Sequence, residues 1–270
     1  MFSRSFRLAK ASLLVVKAER ELLALPLISF VAVLLSVAAV AVPSYFFVFV
    51  SGGSEVLAYV AGAVVTYVSV SVALYFQTAM VVAARDHMDG RNPTLGSSLR
   101  TAAQFAPQIL GWALVVTFVK LVLRWVRERG VIGELAAGLA DAIFTFATFI
   151  TVPVLVSERL GPVAALKRSA VLLRKTWGEN IVGRFGLGAV TFLMVLAALV
   201  IVGGGVAAWV AAGAAVGVPV LLVGVAALVF ALVLSTALNA VYQTALYRYA
   251  TGAPVAGFSQ ADLVSAYRRR

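Results

Sequence analysis

Lys120, Arg124 and Arg127 recur at i, i+4 and i+7 within TFVKLVLRWVRERG (residues 117–130), with Arg129 close behind. That spacing places the first three cations on one face of a helix. If the chain reverses near Val131, Asp141 returns to the level of Lys120, and Glu134 to that of Arg127. An antiparallel hairpin therefore predicts two ion pairs, Lys120 with Asp141 and Arg127 with Glu134. At 1.5 Å per residue, Lys120 and Asp141 lie roughly 15 Å from the turn, deep in a hydrocarbon layer about 30 Å thick. Ionisable groups at such depth either bridge helices or line the path of a solute or ion.

A second polar set is uncharged. Gln77 and Thr78 in YFQTAM (75–80) match Gln243 and Thr244 in VYQTAL (241–246), and Asn239 lies one helical turn before Gln243. Amides and hydroxyls in an apolar span need partners, so these side chains are expected to face other helices or a polar cavity. No catalytic residue is assigned. His87, the single histidine, stands in DHMD (86–89) with too few further ligands for a metal. KTWGE (175–179) has a lysine without the glycines of a phosphate loop. Cysteine is absent, which removes thiolate chemistry. No cofactor is expected.

The elements that must position these groups follow from composition. Hydrophobic residues make up 62% of the chain and charged residues 12%, against about a quarter charged in soluble domains. The mean hydropathy is +1.02. Several uncharged runs are long enough to cross a bilayer, so the expected class is an all-α integral membrane protein. Six spans are read at about 22–50, 55–84, 103–127, 133–156, 181–211 and 216–249. They pair as three transmembrane hairpins, each preceded by an amphipathic interfacial helix. The 270 residues form a single membrane domain, with weak internal repeats over about 1–90, 91–158 and 159–254 and a basic cytoplasmic tail at 255–270. The apolar run 11–16 between Lys10 and Lys17 is too short for a cleavable signal peptide.

Lysine and arginine set the expected orientation. Eighteen of the twenty-two basic residues fall at the N-terminus, in two connections and in the tail. By the positive-inside rule both termini are cytoplasmic, in a prokaryotic cell membrane. The same rule accounts for the net charge of +11 without nucleic acid. Arg7, Lys10 and Lys17 lie near an apolar stripe of Phe2, Phe6, Ala9, Leu13 and Val16. Lys167, Arg168, Arg174 and Lys175 flank a second stripe of Val163, Leu166, Ala170, Leu173 and Trp177. Such helices lie on anionic lipid, or cap the bundle, or do both.

Four stretches, ASLLVVKAERELLALPLIS, GWALVVTFVKLVLRWVRERG, VPVLVSERLGPVAALKRSAVLLRKTWGE and VYQTALYRYATG, together resemble a family of prokaryotic multi-pass membrane proteins. That family is catalogued as a domain of unknown function. The resemblance implies a polytopic membrane protein and brings no activity, cofactor or catalytic residue with it. The expected function is a non-enzymatic protein that interacts with membrane lipids, anionic ones first, or supports a membrane assembly. The alternative is a small-solute or ion permease whose path includes Lys120, Asp141, Gln77, Asn239 and Gln243. A lipid-modifying enzyme comes third, since it would need acids or histidine clustered at one depth. No protein partner is named by the sequence.

Overall fold

A computed structural model of the chain describes residues 20–46, 48, 52, 54–175 and 177–253, with side chains over 24–46, 48, 52, 54–174 and 188–253. The N-terminal stripe with Arg7, Lys10 and Lys17, the tail at 255–270 and the Lys175 side chain fall outside these. Helices form in chain order: α1 (Arg20–Tyr45), α2 (Glu55–Met88), α3 (Leu95–Ala103), α4 (Ala106–Arg127) and α5 (Val131–Ala147). They continue with α6 (Thr151–Glu158), α7 (Pro162–Lys175), α8 (Trp177–Ala212) and α9 (Ala214–Thr251). No strand occurs among the described residues. Among the described residues six helical stretches are long and apolar enough to cross a membrane: Ala24–Tyr45, Glu55–Met88, Ala106–Arg127, Val131–Glu158, Gly188–Ala212 and Ala214–Thr251. The chain is a membrane protein, and helices are what hydrocarbon demands of a backbone that must satisfy its own hydrogen bonds. At 22 residues, α4 extends about 33 Å, enough to cross.

The fourth span is not the single helix expected from its hydropathy. It breaks at residues 148–150 into α5 and α6, where the Thr151 amide donates back to the Thr148 carbonyl at 3.0 Å. Pro153 accounts for the break: it has no N–H for the Phe149 carbonyl, and its ring would clash with it. In the first turn of a new helix that missing donor costs nothing. Ser169 of α7 donates to the Ala147 carbonyl at 2.7 Å and so satisfies the end of α5. The residues after the break, Thr151 to Val156, are all buried.

The stripe expected on α7 is displaced. Ala165, Ser169, Leu172 and Leu173 are the buried residues, whereas Val163 is 56% exposed. Ser169 must face the end of α5, and this rotates the packing face away from Val163.

Burial is unequal along the bundle. The core joins Ala79–Ala84 of α2, Ile109 and Trp112 of α4, Ile150–Val156, Leu172 and Leu173 of α7, and Leu234–Leu246 of α9. These segments all lie toward the ends that carry the basic connections. At the opposite ends, large apolar side chains such as Ile132, Leu135, Val200 and Leu222 are exposed, as spans in lipid require. There α8 and α9 hold together through small residues. The turn between them is Gly213, whose φ of 81° suits glycine. Gly217 abuts Trp209, Gly205 abuts Leu221, and Gly224 abuts Val202. All three contacts are symmetric about Gly213, so they fix one antiparallel register.

A side chain at Gly224 would meet the Val202 backbone, with even a Cβ only 2.8 Å from its nitrogen, while Gly203 has open space around it. Gly224→Leu is therefore expected to destabilise the protein by about 1–3 kcal/mol through overpacking. Gly203→Ala should leave the thermal midpoint in detergent within a degree or two of the parent. Equal midpoints for the two variants would contradict this register.

Candidate functional site

The cations of the 117–130 stretch find partners other than those expected. Arg127 reaches Asp141 at 3.3 Å, and Arg124 reaches Glu128 on its own helix at 3.4 Å. The Arg129 guanidinium sits 3.7 Å from the Trp125 ring centroid. Lys120 does not pair with Asp141, and Arg127 does not pair with Glu134. The reason is side-chain direction. Cα–Cβ bonds lean toward a helix's N-terminus, so Arg127 on α4 leans away from the turn while Asp141 on α5 leans toward it. Counting residues from the turn ignores that lean, and the long arginine closes the offset. Glu134 and Lys120 are left without an ion pair among the described residues.

Lys120 and Asp141 nevertheless meet at the wall of one cavity of about 670 Å³, together with Gln77, Asn239 and Gln243. These five come from α2, α4, α5 and α9, and α1 adds Pro26, Ser29 and Phe30. The cavity exists because α5 packs mainly on α4 and α7 and, among the described residues, makes no extensive contact with α1 or α9. Along α9 it runs from Val229 to Gln243, fourteen residues or about 21 Å. Its aromatic wall is Phe30, Trp112, Phe144 and Phe149, with Trp112 and Phe144 stacked at 6.2 Å. Toward the basic end the packed core closes it, because Ala79–Ala84 and Val241 are buried there.

The amides occupy that closed end. Gln77 Nε2 donates to Gln243 Oε1 at 3.2 Å, joining α2 to α9. Thr78 and Thr244 each donate to the carbonyl four residues back, at 2.8 Å. Asn239 donates to the Ser235 carbonyl at 3.0 Å, and Ser235 Oγ lies 3.0 Å from Thr191 Oγ1 of α8. Ser235 and Thr191 were missed in the sequence, although Ser235 stands one turn before Asn239 and so shares its face. The aromatic wall carried no sequence signal, since aromatics abound in every span.

Two charge knots close the basic end below the cavity. Glu158 accepts from Arg168 Nε at 3.0 and 3.1 Å and from the Tyr247 hydroxyl at 3.2 Å, which ties α6, α7 and α9. Asp89 accepts from Arg248 at 2.6 Å and from Arg91 at 2.9 Å, and Arg91 also reaches Asp86 at 2.6 Å. The hydrogen bond and charge of Asp86 hold Arg91 above its ordinary pKa. Of the candidates for lipid headgroups, Arg168 is thus engaged within the protein, whereas Lys167 and Arg174 are exposed. Among the described residues no three histidine or acidic side chains converge as a metal cradle. A second groove of about 890 Å³ lies between the start of α2 and the end of α4, beside Glu55, Arg124 and Glu128.

A family model described as "Family of unknown function (DUF6159)" matches residues 56–258, which is most of the chain, and the chain belongs to that family. No curated protein and no solved structure matches it.

The rearranged pairing can be read by a double-mutant cycle. Arg127 and Asp141 lie within spans and are each about half exposed, so their coupling is expected at or above the range of pairs in water, about 0.2–1 kcal/mol. Arg127→Gln and Asp141→Asn should each lower the thermal midpoint, and the double variant should lose less than the sum of the two. The same cycle between Lys120 and Asp141 should be additive, and coupling there instead would refute the pairing.

Proposed function

We propose that this chain is a non-enzymatic protein of the prokaryotic cytoplasmic membrane that takes an amphiphilic molecule from the bilayer into the cavity between its spans. One observation carries the reading: a mostly apolar, aromatic-walled space within the spans that is polar at both ends. An apolar wall with a few placed polar groups is what small-molecule sites require, and about 670 Å³ lies in their usual range. The packed core closes the basic end, and α5 stands away from α1 and α9, so lateral entry from lipid is the open route.

The wider plan belongs to the same proposal. The basic connections support a cytoplasmic location for both termini. The six spans form three hairpins, supported by the adjacency of α1 with α2, α4 with α5, and α8 with α9. Short helices α3 and α7 precede the second and third, and the repeats near 1–90, 91–158 and 159–254 follow from that order. Exposed Lys167 and Arg174 would meet anionic headgroups while the other face of α7 caps the bundle.

A permease for a small solute or ion is the second reading, favoured by polar groups at two depths of one cavity. An enzyme would need converging acids or histidine.

The test uses single-tryptophan proteins in nanodiscs containing dibrominated phosphatidylcholine. Trp112 lines the cavity and is buried, and Trp209 is half exposed on α8. Brominated chains should quench both, and Thr236→Phe, which fills the cavity, should restore Trp112 emission alone. Trp112 quenching that ignores Thr236→Phe would defeat the reading. The chain lacks cysteine, so Asn239→Cys can be probed cleanly with a water-soluble maleimide. Slow labelling is expected, and labelling as fast as for an exposed loop would favour the permease.

A further inference from the structure

The charged end of the cavity identifies the class of molecule it takes. Three of the four cations in the 117–130 stretch are satisfied within the protein, Arg124 by Glu128, Arg127 by Asp141 and Arg129 by the Trp125 ring. Lys120 is the exception: it lines the cavity yet makes no ion pair or hydrogen bond among the described residues. It is also the deepest of the four, more than two helical turns from the reversal at Gly130. A cation in the middle of a span costs about 2.5–3.5 kcal/mol even by insertion scales, so such groups ordinarily carry a partner or a function.

We infer that Lys120 is the binding group for the head of an amphiphilic organic monoanion, whose apolar body lies along the aromatic wall toward Gln243. This deepens the cavity reading and rests on it. Asp141, the other ionised group on the wall, is already neutralised by Arg127, so the cavity presents one net positive charge. One charge suits a carboxylate or a phosphodiester. A dianion would leave its second charge uncompensated against an apolar wall. A fully hydrophilic anion would leave Phe30, Trp112, Phe144 and Phe149 against polar atoms. Lys120 is the cation among the lining residues and so the charged donor for the head. The shared chemistry, one anionic group on an apolar chain, is met by a single-chain acid or by an anionic phospholipid.

The probe is the single-Trp112 protein in phosphatidylcholine nanodiscs at mildly alkaline pH, titrated with 12-bromododecanoate or 12-bromododecanol. Saturable quenching is expected from the acid, with an apparent Kd about tenfold or more below that of the alcohol, the scale of one charge-assisted contact. Lys120→Met should abolish that preference and Lys120→Arg should keep it. Lys120→Met should also leave the thermal midpoint of the ligand-free protein unchanged or raised, and a fall would reveal a structural partner and overturn the assignment. Equal affinity for acid and alcohol in the parent would overturn the anion site while brominated phospholipid could still report an occupied cavity. Loss of saturable quenching by acid, alcohol and brominated phospholipid together would remove the cavity reading as well. Adding phosphatidylglycerol to the discs separates the two sources: competition with the acid names a phospholipid, indifference names a single-chain acid, and both keep an anion at Lys120.

Discussion

Every peptide group inside hydrocarbon must find its partner within the protein, and this constraint shapes the rest of the molecule. It makes each span a helix and decides where a helix can break. The break at 148–150 falls where Ile150 to Val156 are buried and where Ser169 can reach the Ala147 carbonyl. Pro153 would be costly in a lipid-facing stretch. In the packed end of the bundle it instead lets the chain turn into α6 and brings Glu158 to Arg168 and Tyr247.

From that anchored end the bundle opens. The knots at Glu158 and Asp89 bind the basic ends of α2, α6, α7 and α9, while α4 packs on α2 and α5 packs on α4. The space that α4 and α5 enclose with α1, α2 and α9 is the cavity. Its polar groups sit where each end needs them. Gln77 and Gln243 satisfy each other against the core, in a bond worth about 0.6 kcal/mol by the average for membrane helices. The opposite end keeps Lys120 without a partner among the described residues, which is a poor arrangement for stability and a good one for holding an anion.

Much of this was legible in the sequence because hydrocarbon imposes a strong pattern. Span length, hydropathy and basic connections give the six spans to within a few residues, and the QTA repeat marks the glutamines that meet. Two failures have a common physical source. Pairing Lys120 with Asp141 assumed that residues equidistant from a turn touch, which holds for the glycine contacts around Gly213, where backbones approach directly. It fails for long side chains that lean along the helix, as Arg127 does. On α7 the expected stripe buries Leu173 but leaves Val163 exposed, because the two are equally apolar in the sequence and only the position of the α5 terminus decides which one faces inward. The cavity itself had no signature beyond its polar members, because space between helices is a property of packing.

A side-chain-resolution electron cryomicroscopy map of the full chain in nanodiscs of native lipid tests the central claim most directly. The account predicts α5 standing off α1 and α9, with elongated density that starts at Lys120 Nζ and runs past Trp112 and Phe149 toward Gln243. A map with α5 packed onto α9, Lys120 paired with Asp141 and no density between the helices would contradict it.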